Sequence, residues 1–415
     1  MSQHNIANIR KARHYKFLRQ VFWLGMTAFG GPQMHLNLFK RRLVDKNPYF
    51  SLETLKEVNA FCSVLPGPTS TQTISLLGWK KGGPRLAFFT LLAWALPGAI
   101  TMSIIALSPK FLGTKNLVFI QPMVAAFIAY ALISMLPWIR KSLTNYTILA
   151  LVGLFGFLFN TPFIFPIALI LGGFSSFLFN KYELSEMQVV EPKKIEWANL
   201  IVFGLIFFII GGGGLFLAEN PHYLKLSEPF VLFENTYRIG AISFGGGNTL
   251  AAMSYEQYVL FKPRLSPQEF NTGLGLLQAL PGPNFNFMIY LNSLSIKTNG
   301  GTILYQLIGC LIGFVAVFLP GMLMVFFAYP LWNRIENNRN IRLSLDGIFA
   351  ATVGFVFSAA LNINSTFWHT TTSLTPEKII GIGIFITTLA LLYVRRIPTP
   401  FIVLFVLFTG YLFSN

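Results

Sequence analysis

Charge is scarce in this sequence. Of 415 residues, 11% are charged, where a soluble protein carries about 25%. Acidic side chains are scarcer still: 15 Asp and Glu stand against 31 Lys and Arg, a formal net charge of +16. The chain has only two cysteines, Cys62 and Cys310, and five histidines, and none of them cluster with metal-ligand spacing. No G-x-S-x-G, H-E-x-x-H or P-loop pattern occurs. These absences argue against an enzyme and leave no expected metal or cofactor. The basic residues are spread loop by loop rather than gathered into one patch, so nucleic acid is not an expected partner. The first 16 residues are polar and basic without an apolar core, unlike a signal peptide.

What the chain has in abundance is apolar length: 53% of it is hydrophobic, including 43 phenylalanines. Spanning segments are expected at 86–107, 117–138, 146–160, 162–179 and 199–218, and at about 302–330, 344–364, 378–394 and 399–413. Several fall short of the roughly 20 residues a vertical helix needs, so tilt or kinking is expected. One polar stretch, 181–198, carries Glu183, Glu186, Glu191, Lys193 and Lys194. It reads as a cytoplasmic linker between a membrane repeat at 1–180 and a second at 199–415.

The two halves share a spaced pattern. Phe29-Gly30-Gly31-Pro32 and Pro66-Gly67-Pro68 recur, 215 residues later, as Phe244-Gly245-Gly246-Gly247 and Pro281-Gly282-Pro283. Gly25, Pro48, Ser51 and Leu65 recur at the same offset as Gly240, Pro263, Ser266 and Leu280. Leu96-Pro97-Gly98 recurs as Leu319-Pro320-Gly321 at an offset of 223. A duplicated set of helix breakers inside apolar segments points to a transporter.

Charge placement suggests how the repeats sit. Arg10, Lys11, Arg13, Lys16 and Arg19 place the N-terminus in the cytoplasm by the positive-inside rule. Alternating spans then keep Arg140, Lys141, the linker, Arg334, Arg339, Arg342, Arg395 and Arg396 inside and leave the C-terminus outside. Each motif block must then cross an even number of times. Full crossings would put Lys40, Arg41, Arg42 and Lys46 outside, whereas re-entrant hairpins would misplace only Lys262 and Arg264. The expected fold is therefore an all-α polytopic membrane protein of two inverted-topology repeats with Gly/Pro-broken re-entrant helical hairpins. Residues 1–199 hold 20 basic and 7 acidic side chains and residues 200–415 hold 11 and 8, as opposite orientation requires.

Pro-Gly-Pro cannot continue a helix, and broken backbone at membrane depth is tolerated only where protein buries it or a watery cavity receives it. A helix restarting beyond each tip offers free N–H groups and a partial positive charge to an anion. The candidate anion-binding residues are Gly30, Gly31, Pro32, Pro66, Gly67, Pro68, Thr69, Ser70, Thr71 and Gln72 in the first half. In the second they are Gly245, Gly246, Gly247, Asn248, Pro281, Gly282, Pro283, Asn284 and Asn286. Arg19, His35, Glu57, Glu234 and Glu256 are candidates for coupling or gating, since ionisable residues at membrane depth are functional by default. Lys80, Lys81 and Arg85 read first as topology signals that also draw anions to the inner mouth. Gly309 and Gly313 read as a packing pair, and 211–214 as close helix packing or a bend.

On these residues the chain resembles the chromate ion transporter family, in its long two-domain form. The resemblance rests on Phe29-Gly30-Gly31-Pro32 with His35, Leu65-Pro66-Gly67-Pro68-Thr69-Ser70-Thr71-Gln72, Ser243-Phe244-Gly245-Gly246-Gly247, Gln278-Ala279-Leu280-Pro281-Gly282-Pro283 and Leu319-Pro320-Gly321. It spans about 17–105 and 230–330. It implies chromate efflux across the bacterial inner membrane, chromate resistance, and sulfate as competitor. Efflux suits an inside-negative potential: a dianion leaving the cell gains about 4.6 kcal/mol per 100 mV. Two alternatives use the same features, a proton-coupled importer of sulfate or another oxyanion and a lipid-phosphate flippase. The bilayer is an expected partner, and a homodimer is left open.

Overall fold

The computed structural model describes residues 3–108, 117, 119–159, 164–180, 201, 205, 209, 224–329, 339–369, 376–394 and 397–413. The linker 181–198, nearly all of the expected span at 199–218, the glycine run 211–214, Arg334, Arg395 and Arg396 lie outside the described residues. Among the described residues the chain is helical and has no strand.

The first half runs α1 (Gln3–Thr27), α2 (Pro32–Phe39), α3 (Leu52–Val64), α4 (Thr69–Leu107), α5 (Ile120–Met135), α6 (Leu143–Leu158) and α7 (Ile164–Phe179). The second runs α8 (Leu224–Ile242), α9 (Gly247–Tyr255), α10 (Pro267–Leu277), α11 (Phe287–Thr298), α12 (Ile303–Ala328), α13 (Arg339–His369), α14 (Pro376–Val394) and α15 (Thr399–Phe413). Among the described residues, five helices are long and apolar enough to cross a membrane: α4, α5 with its extension to Trp138, α12, α13 and α14. Helices α6, α7 and α15 are shorter but apolar. Leu151, Leu154, Leu158, Ile170, Phe174, Phe401, Leu404 and Phe408 are each about half exposed or more. Apolar surface on this scale needs lipid rather than water around it. The chain is an all-α polytopic membrane protein.

The duplication is visible in the backbone. Both glycine tips have paired left-handed residues: Gly30 and Gly31 at φ 89° and 82°, Gly245 and Gly246 at φ 82° and 85°. Helices α2 and α9 start at matched positions, and each ends in a π-helical turn, Lys40–Asp45 and Glu256–Phe261. Ser51 and Ser266 then cap α3 and α10, accepting from Thr54 N and Glu269 N, the second within a complete capping box. At 1.5 Å per residue, the 13 residues of α3 and 11 of α10 reach about 20 and 17 Å, short of a hydrocarbon core of about 30 Å. Helix α4 is really two helices, broken at Gly82 and Gly83 (φ 78°). Its parts 69–81 and 84–107 match α11 and α12.

Glycines set the close packing. A Cβ on Gly25 would lie 2.5 Å from Trp94 O, and one on Gly240 would lie 2.7 Å from Val317 O, the equivalent position. Gly309 and Gly313 press against α11 at Asn292 O and Met288 O, which is the packing role expected for that pair. Helix α13 lies against α6 and α7 through Gly153, Gly156, Gly172 and Gly347. In lipid, where hydrophobic burial does not drive helix association, such close approach and its dispersion gain hold helices together.

Candidate anion site at the converging tips

The four tips meet. Gly67 N–H donates to Ser243 O at 2.8 Å, and Gly282 N–H donates to Ala28 O at 2.8 Å. Each Pro-Gly-Pro turn is thus pinned to the strand of backbone that precedes the glycine tip of the other half. The two Leu-Pro-Gly glycines complete the exchange. Gly321 lies against Gly67 and Pro68, with a Cβ there 3.0 Å from Pro68 Cδ, while a Cβ on Gly98 would sit 2.5 Å from Pro281 O. At Gly98 a side chain would force the fourth tip to move, and at Gly321 the fit is tight.

Between the tips lies one small cavity of about 10 Å3, space for about one water. Gly31 and His35 line it from the first tip, Pro68, Thr69 and Ser70 from the second, Gly246 and Gly247 from the third, and Pro283, Asn284 and Phe285 from the fourth. Helices α2, α4 and α9 all begin here with glycine or proline at the N-cap and no side-chain cap. Their first carbonyl bonds are His35 N–H to Gly31 O, Gln72 N–H to Pro68 O and Leu250 N–H to Gly246 O. The earlier amides of each first turn therefore have no helical acceptor. Helices α3 and α10, which begin at the opposite ends of their hairpins, are capped by serine. The contrast follows from local sequence: Ser stands where a helix start is exposed, and Gly or Pro where the start faces this cavity.

The predicted residues divide by role. Gln72 Nε2 donates to Pro66 O (2.8 Å) and Gly321 O (3.2 Å), so it braces the second tip. Thr71 Oγ1 accepts from Trp94 Nε1 at 3.2 Å. Asn286 Nδ2 donates to Ala95 O at 3.1 Å and braces the fourth tip against α4. Gly30, Pro66, Gly67, Gly245, Asn248, Pro281 and Gly282 belong to the tips without lining the cavity, and Pro32 opens α2 beside Gly31. Thr249 Oγ1 is buried without a partner, as are Gln72 Oε1 and Asn286 Oδ1. His35 is 1% exposed, with Nδ1 3.0 Å from Ser70 Oγ and its ring edge-on to Trp94 at 5.1 Å. Its Nε2 has no partner.

The other charged candidates lie away from the tips. Arg19 is exposed. Glu234 pairs with Arg238 on its own helix at 3.0 Å. Glu57 is bound by Lys80 at 3.0 and 3.1 Å and by Tyr329 OH at 2.9 Å, which ties α3 and α4 to the end of α12. Glu256, on the π-helical turn after α9, is 5% exposed and accepts from Ser358 Oγ at 3.3 Å. Trp94, Tyr329 and Ser358 carry no motif in the sequence. Their roles depend on contacts made across 23, 272 and 102 residues.

A family model described as chromate transporter matches residues 15–177 and 230–411. An uncharacterized transporter of Methanocaldococcus jannaschii is 23% identical over 392 residues, 94% of this chain and 92% of its own. A chromate transport protein of Pseudomonas aeruginosa is 23% identical over 388 residues, covering 89% and 84%. A probable chromate transport protein of Synechococcus elongatus is 23% identical over 421 residues, covering 99% and 98%. No solved structure matches. With both halves matched, and the duplicated tips at their meeting point, the chain belongs to the chromate transporter family.

Proposed function

We propose that this chain exports chromate from the cytoplasm by alternating access of two inverted repeats, and so confers chromate resistance. The observation that carries the reading is the convergence of uncapped helix starts from both halves on one cavity. Backbone N–H groups of the first turns of α2, α4 and α9, with the hydroxyls of Thr69 and Ser70 and the Asn284 amide, form the binding cage. The positive ends of the three helix dipoles add to it. A cavity of about 10 Å3 is too small for a five-atom oxyanion, so binding requires the tips to part. Alternate parting toward each face is the transport cycle.

The lengths of α3 and α10 support re-entrant hairpins, entering from the cytoplasm in the first half and from outside in the second. The N-terminus is then cytoplasmic and the C-terminus outside, in a bacterial inner membrane. The Glu57–Lys80–Tyr329 cluster, which joins the two halves away from the tips, is the inner gate. The membrane potential supplies the driving force, and no nucleotide is needed.

The test is chromate flux into inside-out vesicles, with and without an imposed potential and with sulfate as competitor. Potential-driven chromate accumulation that sulfate reduces is the expected result. The buried carboxyl of Glu256 favours one second reading, a proton-coupled sulfate importer. Sulfate flux that needs a proton gradient, without chromate flux, would select it.

A further inference from the structure

Helix α3 carries a stripe with no bulky apolar side chain: Glu53, Lys56, Glu57, Ala60 and Ser63, all exposed. They recur at steps of three and four residues and so share one face of the helix. Two carboxylates, a lysine and a serine in a row face water rather than lipid tails. The stripe runs up the hairpin toward Pro66. At the 215-residue offset it recurs as Gln268, Asn271, Thr272 and Gly275 on α10 and Gln278 at its end. Every one of these is again polar or small, yet here Asn271 and Thr272 are buried, 1% and 4% exposed.

What lies on the second stripe is α5. A Cβ on Gly275 would run into Ile120 Cγ2, and would sit 3.1 Å from Met123 Cε and 3.3 Å from Val124 Cγ2. An isoleucine, a methionine and a valine thus rest on a polar helix face. One turn before Gly275, both amide atoms of Asn271 are buried without a hydrogen-bond partner. A buried amide with nothing to bond penalises the arrangement that buries it. Lifting α5 off α10 relieves that penalty, because the amide then meets water or a passing anion.

We infer that α5 is the outer gate, and that the α10 stripe beneath it is the outer half of the oxyanion path, with Asn271 and Gln278 offering amide N–H donors to the anion. The inference rests on the alternating-access reading, and adds to it the element that moves and the residues it uncovers. The α3 stripe is the inner half. The two gates then differ in kind: a part-exposed cluster of Glu57, Lys80 and Tyr329 on the inside, and an apolar helix on a polar face on the outside.

The experiment is thiol labelling of Asn271→Cys and Gln278→Cys in right-side-out vesicles, with a membrane-impermeant maleimide added outside. The parent protein, whose Cys62 and Cys310 are buried, is the blank. Labelling should be slow at rest and should speed up about five-fold or more when chromate is loaded inside and flux begins, since its rate follows the fraction of chains with the gate open. Ser63→Cys should label readily in inside-out vesicles without any anion. Labelling at Asn271→Cys and Gln278→Cys that flux leaves unchanged would overturn the gate. A second variant reads the same gate without a thiol. Asn271→Leu replaces the unpaired amide by an apolar side chain of similar size, so it should hold α5 down, raise the unfolding midpoint in detergent and cut flux several-fold. Wild-type flux in Asn271→Leu at matched abundance would remove Asn271 from the path. If the parent protein moves neither chromate nor sulfate, the transport reading itself fails, an outcome distinct from flux with unmoved labelling.

Discussion

Gly67 gives its N–H to the carbonyl of Ser243, 2.8 Å away, and so ties the Pro-Gly-Pro turn of one half to the glycine tip of the other. The equivalent bond, Gly282 to Ala28, has the same length. Two reciprocal main-chain bonds join the tips of the two halves, and the Gln72 and Asn286 side chains brace them. They set the spacing of the tips while leaving the starts of α2, α4 and α9 without side-chain caps.

Gly67→Ala should damage the protein more than Gly282→Ala. Both residues hold positive φ, 111° and 99°, which costs a non-glycine residue about 1–2 kcal/mol. At Gly67 the added methyl also meets Gln72 Nε2 at 2.9 Å and Gly321 Cα at 3.3 Å, whereas at Gly282 the nearest atoms are 3.7 Å away. Thermal unfolding in detergent should show the lower midpoint for Gly67→Ala, and chromate flux should be reduced in both.

Gly98→Ala should be worse than Gly321→Ala. The first places its Cβ 2.5 Å from the Pro281 carbonyl, a backbone atom that cannot yield without moving the fourth tip. The second meets Pro68 Cδ at 3.0 Å and the end of the Gln72 side chain at 3.1 Å. Vesicle flux compared at matched membrane abundance checks the order.

Serine replacements should separate stability from binding. Ser51→Ala removes the α3 cap and should cost about 1 kcal/mol of stability with anion affinity unchanged. Ser70→Ala removes the His35 partner and a cage hydroxyl, and should weaken sulfate binding several-fold with a smaller change in unfolding midpoint. Equal affinity losses in both variants would contradict the division between capped and uncapped helix starts.

The Glu57–Lys80–Tyr329 cluster should matter to transport more than to folding. The Glu57 side chain is 46% exposed, and exposed ion pairs contribute about 0–1 kcal/mol. Glu57→Gln, Lys80→Met and Tyr329→Phe should therefore leave the unfolding midpoint nearly unchanged while altering flux. A double-mutant cycle of Glu57→Gln with Tyr329→Phe should give non-additive flux, because both act on one contact.

Much of the fold was legible because membrane insertion writes itself into composition. Scarce charge and long apolar runs set the all-α polytopic class, since only helices or closed barrels satisfy their backbone in lipid. The repeat was legible because Gly and Pro are the residues that tips and close approaches cannot replace. Ser51 and Ser266, Gly25 and Gly240, and the four tips each keep their structural role at their matched positions. What the pattern did not separate was ligand from brace. Thr69, Ser70, Thr71 and Gln72 are consecutive polar residues after one turn, yet Thr69 and Ser70 face the cavity while Thr71 and Gln72 bond to Trp94, Pro66 and Gly321. Helical rotation of about 100° per residue sends neighbours to different surroundings, and only the packing of α4 says which surroundings those are. Likewise, a charged residue's sequence neighbours do not reveal that Tyr329 binds Glu57 or that Ser358 reaches Glu256. Membrane class, duplication and the identity of the tips were determined by sequence alone, through local chemistry and lipid solvation. The meeting of the tips, the Gln72 and Asn286 braces and the His35–Ser70 contact were decided by tertiary structure, because each depends on atoms brought together from distant parts of the chain.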